Sequence, residues 1–291
     1  MSHIPEKILI TGASGQLGRL VVRELLRKVP ASRVVAIARR AESVADLAAL
    51  GVEVRQGDYT NPASLDAAFA GAGRILLISS NEVGQRLVQH RNAIEAAKRA
   101  GASLLAYTSI LRADTNPMAL AEEHRATEAL LRASGLPFVL LRNGWYSENY
   151  GARVQAAAEH GTLPGSAGAG RISAAPRADY AAAAAAVLAS AEDPAGKVYE
   201  LAGDHSFDLA ELAAEVAAAS GKPVAYQNLP EADYRRVLTG IGLPEPFAAA
   251  LADSDQQTAH GHLFDQSRQL SALTGRPTAP FGESVRQALG A

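Results

Sequence analysis

Lys7–Gly18 reads KILITGASGQLG, and the rest of the fold follows from it. A short apolar, β-branched run, Lys7–Thr11, passes directly into Gly12-x-x-Gly15-x-x-Gly18. From there Leu17, Leu20, Val21, Leu25 and Val29 recur at steps of three and four, so a helix with one buried stripe begins inside the glycine loop. Strand, glycine loop and helix in that order form the first turn of a dinucleotide-binding unit. Glycine serves three purposes there: a tight turn, a backbone that can approach pyrophosphate closely, and tight packing of helix on strand. The anion then sits on free N–H groups at a helix N-terminus, where the helix dipole also favours negative charge. Gly12, Ala13, Ser14, Gly15, Gln16, Leu17 and Gly18 are therefore the candidate pyrophosphate cradle.

Further along, short apolar runs alternate with segments of helical spacing: Arg33–Arg39, Val52–Asp58, Arg74–Ser79, Ser103–Ser109 and Phe138–Asn143. This alternation predicts βαβ units and a Rossmann-type, doubly wound parallel sheet. Between the fourth and fifth strands, Val83, Leu87, Ile94 and Ala97 mark a buried helical stripe that Gly101 ends. After Asn143 the rhythm changes to a glycine-rich loop at Gly161–Gly170, an alanine-rich helix with Asp179 as its N-cap, and a further strand, Lys197–Gly203. Asp208 and Glu211 form a capping box, and another strand (PVAYQNL) and two proline-bounded helices follow. Residues 1–150 are expected to form the nucleotide-binding domain, and 151–291 a smaller mixed α/β region whose segments are free to return to the first sheet.

Composition narrows the function. In 291 residues the formal net charge is −2, so no excess of basic charge is present to hold nucleic acid. Cysteine is absent, which removes thiolate chemistry, and His160, His205, His260 and His262 show no spacing with carboxylates that suggests a metal. No apolar run approaches the roughly 20 residues that span a bilayer, and no apolar leader precedes the first strand. A cytoplasmic protein is expected.

Which dinucleotide is bound depends on the end of the second strand. An NAD site usually places a carboxylate there for the ribose hydroxyls, but this strand ends in Arg39-Arg40. A guanidinium forks onto a phosphate, so NADPH is expected, with Arg39 on the 2′-phosphate and Arg40 as the alternative surface residue. Asp58 ends the third strand, and Ser79, Ser80 and Asn81 end the fourth, at the sheet edge where such folds bind ligands. Asp58 is a candidate acceptor for the adenine amino group, and Ser79–Asn81 are placed beside a cofactor ribose. Plain turn chemistry is the alternative for each. The sixth strand runs into LRNGWYSENY, which gathers rings and amides at the same edge. Flat rings make good walls for a flat substrate. Trp145 and Tyr146 are equally suited to anchoring the second region.

The stretches ITGASGQLG, LLISSNEVGQR, AYTSILRADTNP, LRNGWYSENY, RADYAAAAA and KVYELAG together resemble the NmrA-like atypical short-chain dehydrogenases, in particular the bacterial NAD(P)H:quinone oxidoreductases of that type. The resemblance implies hydride transfer from NADPH to a small-molecule quinone; the sequence carries no second nucleotide motif, so no flavin is expected. The resemblance also implies that Gly144, Trp145, Tyr146, Ser147, Glu148 and Asn149 line the nicotinamide side, with Arg177 near the cleft. The Tyr-x-x-x-Lys pair usual in the wider superfamily is missing. In MALAEEHRATEALL (Met118–Leu131), Leu120 takes the tyrosine place, His124 the lysine place, and Glu128 follows on the same helical face. His124, Tyr146 and Asn149 are the candidate catalytic groups. His124 would donate to a ribose hydroxyl or relay a proton, unless it only forms a solvated pair with Glu128. His90, on an ordinary helix face, is expected to be structural. A ketone reductase suffers from losing the tyrosine, because a localised alkoxide needs a positioned acid. A quinone spreads the charge it gains into its ring. The alternative function is an NADP(H)-binding regulator of the NmrA type without catalysis.

Overall fold

A computed structural model describes residues 6–290; Met1–Pro5 and Ala291 of the expected two-part division lie outside the described residues. In chain order the elements are β1 (Lys7–Ile10), α1 (Gln16–Leu26), β2 (Val34–Ala38), α2 (Ala45–Ala48), β3 (Glu53–Gln56), α3 (Pro62–Phe69), β4 (Ala72–Leu77), α4 (Arg86–Ala100), β5 (Leu104–Ile110), α5 (Ala119–Ser134), β6 (Phe138–Asn143), α6 (Gly151–His160), β7 (Thr162–Gly165), α7 (Arg177–Ala189), β8 (Val198–Leu201), α8 (Leu209–Ser220), β9 (Ala225–Asn228), α9 (Glu231–Gly240), α10 (Glu245–Ala259), α11 (Gln269–Thr274) and α12 (Phe281–Leu289).

Seven strands form one sheet in the order β3-β2-β1-β4-β5-β6-β8, and the first six run parallel. The order reverses between β1 and β4, the switch point at which doubly wound sheets bind ligands. Strands β2 and β5 are buried along their whole length, and β1 from Ile8 to Ile10, as expected of central strands covered on both faces. One core layer joins Leu9, Ile37, Leu65, Phe69, Ile75, Ile94, Tyr107 and Leu140.

The chain divides into two discontinuous units. The first comprises residues 6–113, 123–143 and 177–199, and the second 114–122, 144–176 and 200–290. In the first unit the return of residues 177–199 brings the alanine-rich α7 against α1. In the second, the smaller sheet pairs β7 with β9 in parallel, Thr162 opposite Ala225 and Gly165 opposite Asn228. The glycine-rich stretch Gly161–Gly170, expected as a loop, thus contains a strand. Its partner lies more than sixty residues away, so local composition carried no sign of it. Asp179 is also not an N-cap: α7 starts two residues earlier, at Arg177, and Asp179 lies buried in its first turn. Val83 is 63 % exposed and precedes α4, so it is not part of that helix's buried stripe. Gly101 does end α4 in the left-handed conformation, and Asp208 with Glu211 makes the expected capping box. The helices α11 and α12 were not anticipated.

One buried ion pair locks α5 to the end of the sheet. Arg142 Nε and Nη2 donate to the two oxygens of Glu128 at 2.9 and 2.7 Å, and the Ser109 hydroxyl donates to the same carboxylate at 2.6 Å. Both charged side chains are almost wholly inaccessible. Replacing Arg142 with Leu removes the forked partner of the buried Glu128 carboxylate and leaves it the longer contact to the half-exposed Arg132, at 3.5 Å. The expected cost is about 3–5 kcal/mol of unfolding free energy, read from the urea midpoint.

Candidate active site

The glycine loop is built as a cradle. Gly12 has φ +59°, and Gly15 N–H turns back onto the Gly12 carbonyl at 2.9 Å. Ala13 N–H donates to the Ile37 carbonyl of β2 at 3.0 Å, which ties the loop to the sheet. A side chain at Gly18 would overlap the Gly12 carbonyl oxygen and stand 2.8 Å from Ala13 Cα, so only glycine allows α1 to start this close to the loop. No side chain caps α1. Its first-turn N–H groups, at Gln16, Leu17 and Gly18, therefore have no side-chain acceptor from a cap, the condition under which a helix start can take an anion. Ser14, Gly15 and Gln16 are exposed, whereas Ala13 and Leu17 are buried and hold the loop in place.

Arg39 ends β2 with its side chain 67 % exposed, and Nη1 lies 3.1 Å from Glu82 Oε1. Arg40 is exposed too, and its carbonyl accepts from Ser43 N–H at 3.2 Å. Asp58 Oδ1 accepts from Thr60 N–H and from the Thr60 hydroxyl, both at 2.8 Å. Those bonds hold its carboxyl below the usual carboxylate range. This is the turn chemistry that the sequence left open for Asp58.

The end of β4 draws its partners from side chains. Ile78 N–H donates to Thr11 Oγ1 (3.0 Å), Ile78 O accepts from Tyr59 OH (2.8 Å), and Ser79 N–H donates to Thr108 Oγ1 (2.9 Å). Ser80 N–H donates to His90 Nε2 (3.0 Å), and Ser80 O accepts from Arg86 Nε (2.5 Å). His90 is fully buried, as expected of a structural residue. Neither Arg86 nor Thr127 was singled out from sequence, because nothing in their local pattern sets them apart.

His124 lies on α5 with 7 % of its surface exposed. Nδ1 is 2.8 Å from Tyr107 OH, and Nε2 is 3.5 Å from Arg86 Nη1. Arginine can only donate, so Nε2 carries the lone pair and the ring donates from Nδ1 to the tyrosine. The solvated His124–Glu128 pair is not formed: each side chain is buried with different partners. Burial, followed by the Arg86 charge, lowers the pKa of both His90 and His124 to about 3. Burial likewise raises that of Tyr107.

In the second unit, Tyr146 forms a parallel bridge with Ala175. Ser147 N–H donates to Ala175 O (2.9 Å), and Ala175 N–H to Trp145 O (3.2 Å). Gly144 N–H donates to Leu201 O (2.6 Å). Glu148 and Asn149 are exposed, while Trp145 and Tyr146 are half-buried. Ser147 and Glu148 border a cavity of about 170 Å³ walled by Tyr150, Val154, Phe207 and Phe281. Phe207 stacks on Phe281 with ring centres 4.3 Å apart. Arg177 is half-buried at the first position of α7, in the first unit. Among the described residues no cluster of His, Asp or Glu has the arrangement of a metal site.

A glycine cradle on an uncapped helix, at the switch point of a 3-2-1-4-5-6 sheet, is a nucleotide site, and the comparisons agree. Residues 12–191 match the NAD(P)H-binding family. The chain belongs to that family, within the NmrA-like atypical short-chain dehydrogenases. It is 55 % identical to quinone oxidoreductase 2 of Escherichia coli over 96 % of this chain and 97 % of that one. An NADPH complex of the NADPH-dependent quinone oxidoreductase from E. coli superposes with a TM-score of 0.95, at 54 % identity, covering 97 % and 99 % of the two chains. Triphenylmethane reductase of Citrobacter sp., complexed with NADP(H), follows at 37 % identity and TM-score 0.92, with 97 % and 100 % covered.

The buried histidines make stability depend on pH. Their folded pKa lies below the ordinary 6.5, so the unfolded chain binds more protons and stability falls as pH drops below 6.5. Between about pH 7.5 and 5.5 each histidine is expected to remove up to about 1.4 kcal/mol from the unfolding free energy. Urea titrations at the two pH values check this, and His124→Gln should lose the smaller amount.

Proposed function

We propose that this protein is an NADPH-dependent quinone reductase. The observation that carries the reading is the uncapped, glycine-lined start of α1 beside an arginine, rather than an acid, at the end of β2. It stands together with the 55 % identity to a quinone oxidoreductase over nearly the whole chain. The cradle fits a dinucleotide: a Cβ at Gly18 would strike the loop backbone, and the first-turn N–H groups of α1 have no side-chain cap.

When bound, NADPH supplies the hydride. The chain's own part is to bind and orient. Gly12–Gly18 would hold the pyrophosphate through backbone N–H groups and the helix dipole. Arg39 would take the 2′-phosphate with its forked guanidinium. Ser79, Ser80 and Asn81 are assigned to the ribose side. Gly144–Asn149 and Arg177 are assigned to the nicotinamide side, with Tyr146 and Asn149 touching the substrate. His124 is assigned to orientation rather than proton donation, because both ring nitrogens are engaged inside the first unit. A quinone suits such a site, because its reduced oxygen is weakly basic and water can protonate it. Holding two flat rings in contact is then the main contribution of the protein. Among the described residues no helix is long and apolar enough to cross a membrane, and we place the protein in the cytoplasm.

NADPH oxidation with a benzoquinone or naphthoquinone acceptor tests the activity; turnover no greater than the buffer blank, with cofactor binding intact, refutes it. Arg39→Asp is expected to raise the KM for NADPH at least about tenfold while leaving that for NADH little changed. Equal KM values for NADPH before and after the substitution would remove Arg39 from the 2′-phosphate.

A further inference from the structure

Beyond Leu77 the β4 ladder stops, yet the chain does not turn to solvent. Five backbone groups of Ile78, Ser79 and Ser80 are instead bonded by side chains of Thr11, Tyr59, Thr108, His90 and Arg86. These come from four separate parts of the first unit, so the shape of this segment is set by remote residues and not by its own sequence.

We propose that His90 and Arg86 are positioning residues for NADPH, acting through Ser80 to fix both the Ser79–Asn81 segment and the Arg39 guanidinium. The proposal rests on the assignment of Ser79–Asn81 and Arg39 to the cofactor. Ser80 N–H donates into His90 Nε2, so the proton of that ring sits on Nδ1, 2.9 Å from Thr127 Oγ1. The Thr127 hydroxyl in turn donates to the Glu123 carbonyl at 2.8 Å. Each donor and acceptor in this series has one possible direction, which locks the tautomer. The His90 ring is further held edge-on between Tyr59 and Tyr107, with centroids at 6.2 and 5.4 Å. On the other side of Ser80, Arg86 Nε holds the carbonyl.

The same residue links onward to the adenosine end. Ser80 Oγ accepts from Glu82 N–H at 3.1 Å, and the Glu82 carboxylate is fixed by Gln89 Nε2 at 2.7 Å. Its other oxygen is the one that takes Arg39. A long, exposed arginine is otherwise free to sample many rotamers, and tethering it lowers the ordering cost of binding. A single buried serine, through its backbone on one side and its hydroxyl on the other, thus connects the proposed ribose contact with the proposed 2′-phosphate contact. Burial requires a donor for the Nε2 lone pair, and the donor that meets it is the Ser80 N–H, so the histidine's own satisfaction and the placement of this segment are one bond.

The test measures NADPH dissociation by calorimetry without quinone, together with KM, kcat and amide exchange at Ser80. His90→Leu fills the space but removes the acceptor. It is expected to raise Kd and KM for NADPH about tenfold and to speed exchange at Ser80, with kcat at saturating NADPH close to that of the parent protein. His90→Gln returns an acceptor at the place of Nε2 and is expected to recover most of the affinity. Thr127→Val, which removes the acceptor for Nδ1–H together with the hydroxyl bond to the Glu123 carbonyl while leaving the His90 ring in place, should move Kd in the same direction and serves if His90→Leu does not fold. Asn81→Ala and Arg39→Ala separate the two ways of failing. If they raise Kd while His90→Leu and Thr127→Val leave it unchanged, the proposal is overturned and the cofactor assignment stands. If neither raises Kd, the assignment fails and the proposal falls with it.

Discussion

The approach of Gly18 to the Gly12 carbonyl is the constraint on which the rest of the first unit depends. With no side chain at position 18, α1 begins immediately behind the loop, and its unsatisfied N–H groups stand at the C-terminal edge of β1. The orientation of α1 then determines what covers it. The late segment α7, whose buried run Ala181–Ala185 is all alanine, packs along α1, and small side chains are what allow two helices to lie close. A bulkier helix there would have to stand off and open the layer. The bare position at Gly18 thus bears both on where α1 starts and on the helix of residues 177–189 that packs along it.

A second constraint is electrostatic. Arg86 is mostly buried and lies beside two imidazoles, which burial already keeps neutral. Neutral rings can accept as well as donate, and this lets His90 receive a backbone N–H while His124 faces a guanidinium. A lysine at position 124, as in the wider superfamily's pair, would set two cations against each other in the same low-dielectric space. The change from lysine to histidine and the presence of Arg86 are thus consistent parts of one arrangement. On the same helix Glu128 is engaged by Arg142 and Ser109. Along this part of α5, His124, Thr127 and Glu128 all take partners within the first unit.

Local pattern made legible the features whose cause is local. The glycine loop, the six parallel strands, the left-handed Gly101 and the Asp208–Glu211 capping box all follow from residues a few positions apart. Where the cause is remote, the sequence was silent or misleading. Thr162–Gly165 becomes a strand only because Ala225–Asn228 lies beside it. Val83 has the right spacing for the α4 stripe but precedes the helix, whose start is delayed by the segment held at Ser80. His90 reads as an ordinary helix residue because its partners, Ser80 and Thr127, are 10 and 37 positions away. Asp58 takes a turn bond to Thr60 that its sequence permits without requiring, and that bond engages one carboxylate oxygen, Oδ1.

The absence of a dedicated acid can now be weighed against the requirements of the substrate. A positioned general acid contributes typically 10²–10⁴-fold where charge localises on a single oxygen. Hydride addition to a quinone produces an aromatic phenolate-like anion whose negative charge is shared with the ring, so far less of that factor is available to be gained. Installing tyrosine at Leu120 would add a donor, but it would not change which oxygen solvent can reach. What remains for the protein to supply is the orientation in which the two rings meet, and orientation of that kind depends on how firmly the groups that hold the cofactor are themselves held. The backbone of Ile78–Ser80, bonded at five points by side chains, is the part of the first unit where rigidity has been concentrated. Loss of the acid and stiffening of that segment are therefore complementary: the protein relies on placement where its relatives with tyrosine rely on proton transfer.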